Sequence, residues 1–295
     1  MSLLNDCCEL LKKKFLENTD FVKEEEIQNY GLTNREKNLY QKMSDKTFAE
    51  YSSGGGGELK DGKMNMIRSS SAMIYNLLGN GDVVFSKDYY FGEDSDSYIP
   101  KGLYKKEFEK RYKTVKVKGK QVEANLDAWL YNDDCEIFIE AKCLEWIQNS
   151  SEKELAKSYV KDTTKYFYPE LAELFRETGE NISFSQYDSC QMFRHTLAIY
   201  NYLKDKNVKN KKIYLVNVVW EPEITEFSQD DYKERLELEH QEFDEFHDDK
   251  MAEIIQKISE DTKNKFDIIY MSVKNFYSIV LYTDEKQKKF VQRYL

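Results

Sequence analysis

No run of apolar residues in this sequence approaches the ~20 that span a bilayer. Leu3, Leu4, Leu10 and Leu11 are interrupted by charges, so the start of the chain reads without an apolar signal region. The expectation is a cytoplasmic protein with no membrane partner. Cysteine is scarce: Cys7, Cys8, Cys135, Cys143 and Cys190 are five in all, and none forms a C-x-x-C pair. An odd count with that spacing argues against zinc fingers and a disulfide framework and suits a reducing compartment. Only three prolines are present, which leaves room for long uninterrupted helices. Internal repeats and a clear domain linker are also missing.

Apolar bulk and charge are plentiful. Hydrophobic residues make up 40 % of the 295, with 17 Phe and 22 Tyr, enough for a substantial core. The net charge of −10 would disfavour a polyanionic partner if it were evenly spread. It is not. From Ser228 to Glu253 there are eleven acids and three bases, whereas Lys101–Lys120 holds nine bases and two acids. The chain is polarised, and the total conceals it.

Periodicity predicts helix over much of 1–50, a flexible loop from Ser52 to Gly57, and a helix from Met64 to Leu78 stopped by Asn80-Gly81. Residues 107–118, 122–131 and 135–143 read as strands. Helix is expected over 151–178, with a break at Pro169, and again from Ser189 to Leu203. The apolar run Ile213–Trp220 reads as a buried strand. Residues 229–259 read as one long acidic amphipathic helix with a solvated face, Phe266–Tyr282 as two short strands, and the end as a basic helix. This order predicts an α/β fold, a mixed sheet flanked by helices. The division expected is a helical extension over 1–63, a core over 64–220 and an addition over 221–295, together forming one compact unit.

The hairpin at 122–143 carries the chemistry. Side chains alternate across a strand, which puts Asn125, Asp127 and Trp129 on one face and Leu126, Ala128 and Leu130 on the other. With Asp133-Asp134 as a two-residue turn, Asp127 falls opposite Glu140 and Asn125 opposite Lys142. Leu126, Ala128 and Leu130 then match Ala141, Ile139 and Ile137. With the turn at Asn132-Asp133, Asp127 sits diagonal to Glu140 on the same face. Opposed carboxylates repel. A hard divalent cation relieves that repulsion, and Lys142 supplies further positive charge. Two acids with a lysine beside them are suited to metal-assisted phosphodiester hydrolysis.

The pattern Asp127…Glu140-Ala141-Lys142 resembles the PD-(D/E)xK signature of restriction-endonuclease-like nucleases. The likeness covers roughly residues 64–220, and Leu126 stands where the signature has proline. It implies a mixed central sheet with helices on both sides, with Asp127 and Glu140 binding Mg²⁺, Mn²⁺ serving in its place. It implies a further ligand in the Ala141 carbonyl and a water-positioning role for Lys142. Gln191 resembles the glutamine found after the core in many members, and Arg194 and His195 share its helical face. Ser69–Asn76 resembles a helix of a group of bacterial restriction endonucleases in this superfamily. A third acidic ligand is usual; Glu109 is the first choice, then Glu58 and Glu145.

Three further features have plainer readings. The bases among Lys101–Lys120, including Lys110, Arg111 and Lys113, either track phosphates or blunt a strand edge. Gly57–Lys63 nearly spells a P-loop but is followed by Met64 where Ser or Thr is needed, so a gate near the site suits it better. His240 and His247, seven apart on the acidic helix, lack the companions of a metal site. The expectation is a Mg²⁺-dependent restriction-type endonuclease acting on DNA, with a homodimer as the candidate assembly. The alternatives are a repair or recombination nuclease of the same fold, or a non-catalytic nucleic-acid-binding protein.

Overall fold

A computed structural model describes residues 2–55, 57–91, 96–148, 154–223 and 229–295. Six strands form the central sheet: β1 (Val83–Phe85), β2 (Gly102–Val117), β3 (Lys120–Tyr131), β4 (Cys135–Lys142), β5 (Lys212–Val219) and β6 (Lys265–Ser272). They lie side by side in reverse chain order, β6-β5-β4-β3-β2-β1. The pairs β1–β2, β2–β3 and β3–β4 are antiparallel, while β4–β5 and β5–β6 are parallel. The sheet is therefore mixed, as expected. It takes its last strand, β6, from the stretch read as a C-terminal addition.

Parallel neighbours require crossovers. The first contains the helix Ser189–Lys206 and the second the run Gln229–Thr262. In chain order the main helices are α1 (Leu3–Glu17), α2 (Asp45–Ser53), α3 (Ser70–Leu78), α4 (Ala172–Gly179), α5 (Ser189–Lys206), α6 (Gln229–Asp244), α7 (Ala252–Thr262), α8 (Val273–Ile279) and α9 (Glu285–Val291). The two faces of the sheet bury separate cores. One holds Ala128, Leu130, Ile137 and Ile139 against α1, α3 and α9. The other holds Trp129 and Phe138 against α5 and α7. Trp129 and Phe138 are thus covered, as their position on the acidic face of the hairpin required.

Several predicted elements are shorter or different. Met64–Leu78 is a single 3-10 turn at Lys63–Asn65 followed by α3, because Ser69 caps the helix by accepting the Ala72 N–H at 3.1 Å. Gly79 ends α3 at φ 70°, where a Cβ would collide with the Tyr40 hydroxyl. The expected helix 151–178 resolves into Lys157–Val160, two 3-10 turns and α4; residues 151–153 lie outside the described ones. Pro169 opens one of those turns. The stretch 266–282 contributes one strand, β6, and then α8, which Ser272 caps by accepting the Asn275 N–H at 3.2 Å. The acidic helix is not uniform: a π-helical segment, Glu245–Met251, separates α6 from α7.

Candidate active site

The hairpin fixes the site. Asn132 Oδ1 accepts the Asp134 and Cys135 N–H groups at 3.0 and 2.8 Å, leaving Asp133-Asp134 as the turn. The register follows as expected, with Leu130 opposite Ile137 and Ala128 opposite Ile139. One step further the ladder opens. The Ala141 N–H, which a continued ladder would direct at the β3 backbone, donates to Asp127 Oδ2 at 2.7 Å.

The strand on the other side, β2, is irregular at the same level. Phe108 pairs with Ala128 and Lys110 with Leu126, which puts Glu109 at the level of Asp127. Glu109 has φ 52°, an uncommon conformation for a residue with a side chain. Both strands change sides here. Phe108 and Ala128 belong to one core, whereas Tyr112 and Leu126 belong to the other. Leu126 was expected beside Ala128 and Leu130, so its place is a correction. The change of faces falls at the level of the left-handed Glu109, and strict alternation does not hold across it. Gly54, just after α2, makes room: a Cβ there would lie 2.6 Å from Glu109 Oε2.

Three carboxylates therefore stand at one level of β2, β3 and β4: Glu109, Asp127 and Glu140. All three line a cleft of ≈ 460 Å³. Burial pushes Glu109 up to about 7, with Glu58 and Glu140 adding to that against the hydrogen bond from Asn125. Burial also raises Asp127 well above the usual carboxylate range, and the charges of Glu140 and Glu109 push it further. Glu140 goes the other way. Burial opposes its charge, but Lys142 and His195 together outweigh burial and hold it down at about 2.

Glu140 is the most heavily held of the three. Its Oε1 accepts Lys142 Nζ at 2.8 Å and Gln191 Nε2 at 2.7 Å, and its Oε2 lies 3.0 Å from His195 Nε2. Lys142 also donates to Gln191 Oε1. An ammonium has three N–H donors, so two are engaged. Burial lowers the Lys142 amine, but Glu140, Asp188 and Glu145 more than restore it, and it stays charged. Asp188 caps α5 by accepting the Gln191 N–H at 3.2 Å, which aims the first turn of that helix into the cleft.

Not every residue named from the sequence meets here. Arg111, Arg194 and His195 line the cleft, but His195 is almost wholly buried against Glu140. Lys110 pairs with Glu107 and lies over the Trp129 ring; Lys113 pairs with Asp205 at 2.7 Å; neither lines the cleft. Glu58 lines it and pairs with Lys63 at 3.3 Å, so the glycine-rich loop does border the site. Gly56, within that loop, lies outside the described residues. Glu145 turns back onto the Cys143 and Leu144 N–H groups at 2.6 and 3.0 Å. His240 and His247 lie apart, on Glu221 and Asp267.

The acidic helix does more than face solvent, which corrects the simplest reading of it. Glu242 is buried and accepts from Ser185 N–H and Oγ–H and from the N–H groups of Gln186 and Tyr187, at 2.7–3.1 Å. It thus ties down the loop that leads into α5. No sequence signal singled it out among eleven acids.

The donors gathered here are hard oxygens, and Asn125, on the same wall, has a buried Oδ1 without a hydrogen-bond partner. Among the described residues no group of three or more His, Cys, Asp or Glu is already arranged around one metal position. Each carboxylate is turned toward a protein donor instead.

A mixed six-stranded sheet flanked by helices, with acids at the point where its strands diverge, defines a restriction-endonuclease-like α/β core. The model of the family described as Restriction Endonuclease associating with ARP matches residues 10–295, and the chain belongs to that family. Neither curated proteins nor solved structures give a match. Among the described residues no helix is long and apolar enough to cross a membrane.

Proposed function

We propose that this protein is a Mg²⁺-dependent endonuclease that hydrolyses DNA phosphodiester bonds, most simply as a restriction-type enzyme. The observation that carries the reading is the meeting of Glu109, Asp127 and Glu140 at one level of three adjacent strands, with the Lys142 amine 2.8 Å from Glu140. Family membership supports nuclease chemistry on DNA.

Asp127, Glu140 and the Ala141 carbonyl are the residues that would hold Mg²⁺, with Glu109 as the third acid. The fit is one of charge as well as donor type. Asp127 is raised by burial and by its two acidic neighbours, and a divalent cation removes that repulsion. The chemistry such an ion would supply there is Lewis-acid polarisation of the phosphate and acidification of water.

The remaining work falls to the side chains. Lys142 lines a small cavity that shares Gln191 with the cleft, and its third N–H would hold the attacking water and offset charge on the phosphate oxygens. Gln191 bridges Lys142 and Glu140 and fixes the distance between them. His195, from behind, keeps Glu140 ionised and oriented.

The test is cleavage of plasmid and linear duplex DNA with Mg²⁺ or EDTA, alongside Lys142→Ala. Wild type should cut only with the metal. Lys142→Ala should lose roughly 10²–10³-fold in rate, as when an oriented donor is removed from a reacting centre, while its circular dichroism spectrum stays native. Normal cutting by Lys142→Ala would refute the mechanism. Preference for branched junctions over linear duplexes would move the substrate from restriction to repair.

A further inference from the structure

The carboxylate cleft is not isolated. A second cavity of ≈ 290 Å³ shares Glu58 and Ser70 with it, and a third of ≈ 460 Å³ shares Arg194. The carboxylate cleft thus adjoins both, and together they are called the groove. Arg68 lines the ≈ 290 Å³ cavity and not the carboxylate cleft itself.

Arg68 stands out by what it does not do. It is half-buried, yet among the described residues it makes no hydrogen bond and no ion pair. The two acids in its cavity are taken: Glu58 by Lys63, and Glu145 by the backbone of Cys143 and Leu144. The segment carrying it is held firmly, with Ile67 N–H on Tyr30 O at 2.9 Å and Ser69 N–H on Met66 O at 3.0 Å. Arg194, in the third cavity, is similar: among the described residues its hydrogen bond is from Nε to Cys190 O at 3.2 Å.

The middle of the groove is acidic, and a chain of phosphates entering it is repelled on either side of the reacting one. Fixed cations beyond each end offset this. A guanidinium is suited to that task, since its planar fork matches two phosphate oxygens.

We infer that Arg68 binds a backbone phosphate of the substrate, and that the cleaved strand runs along the groove from Arg68, past Asp127 and Glu140, to Arg194. This rests on the nuclease reading and adds a binding residue and a strand path.

The experiment measures binding of a fluorescently labelled duplex by anisotropy, with Ca²⁺ held constant in place of Mg²⁺, across a range of NaCl. Wild type, Arg68→Ala, Arg68→Lys and Arg194→Ala are compared, with thermal melting of each as the check on folding. Arg68→Ala should bind about tenfold more weakly at low salt, uniformly across sequences, with a log–log salt slope shallower by about one. Arg68→Lys should keep the slope. A merely structural role for Arg68 would lower the melting temperature without altering the slope. Wild-type affinity and slope in a folded Arg68→Ala, with wild type binding well, would overturn the assignment and leave the nuclease reading standing. A wild type that binds no duplex and cuts none would overturn both.

Discussion

Asp127 has two relations to its surroundings that pull apart. It anchors the opening of the hairpin by accepting the Ala141 N–H at 2.7 Å, and it suffers the charges of Glu109 and Glu140. Asparagine in its place keeps an oxygen for that N–H and loses the charge. In the absence of divalent cations, Asp127→Asn should therefore be more stable than wild type, by roughly 1 kcal/mol, as expected for relief of like-charge repulsion at a part-exposed site. Urea unfolding in EDTA checks this; a destabilised variant would mean that Asp127 is better served by its neighbours than the arrangement implies. Glu109 was legible only as one of three acids. What distinguishes it is a backbone φ of 52° and the room left by Gly54, and neither follows from alternation of side chains. Arg68 left no trace in the sequence reading, because nothing local marks an arginine that lacks a partner.

At the scale of elements, β3, β4 and the turn between them were readable, because a two-residue turn and an apolar match on one face fix a single register. Helix α5 was readable too, with Gln191, Arg194 and His195 on one side of it. The alternation rule failed where β2 and β3 change faces, and the strand expected after β6 proved to be a capped helix. The acidic run was misjudged for a different reason. Charge density predicts exposure on average, but Glu242 is buried because it satisfies three backbone N–H groups and a hydroxyl at once. Its removal leaves those donors unpaired inside the protein. Glu242→Ala should cost roughly 3 kcal/mol in stability, in line with the loss of charged hydrogen bonds from buried partners. It should also slow cleavage, because the loop at 185–187 sets the entry to α5 and so the reach of Gln191. Equal cleavage rates at a temperature where both proteins are folded would show that α5 is positioned by its packing alone.

For the whole molecule, the sheet order explains why the site is where it is. The β3–β4 ladder ends at Ala128 and Ile139, β3 stays paired with β2 on one side, β4 pairs in parallel with β5 on the other, and the helices of both crossovers pack on the sheet. The acids gather at that transition, between two cores that brace the sheet from either face. The overall charge of −10 is not in conflict with a DNA substrate, since much of it lies on the α6–α7 run while arginines flank the cleft. What remains decisive is whether the three carboxylates seat a cation together. Calorimetric titration of Mn²⁺ into the full chain and into Asp127→Asn measures this directly. The account predicts saturable binding in the wild type that is abolished or greatly weakened in the variant. Absence of heat in the wild type, or the same isotherm from both proteins, would contradict it.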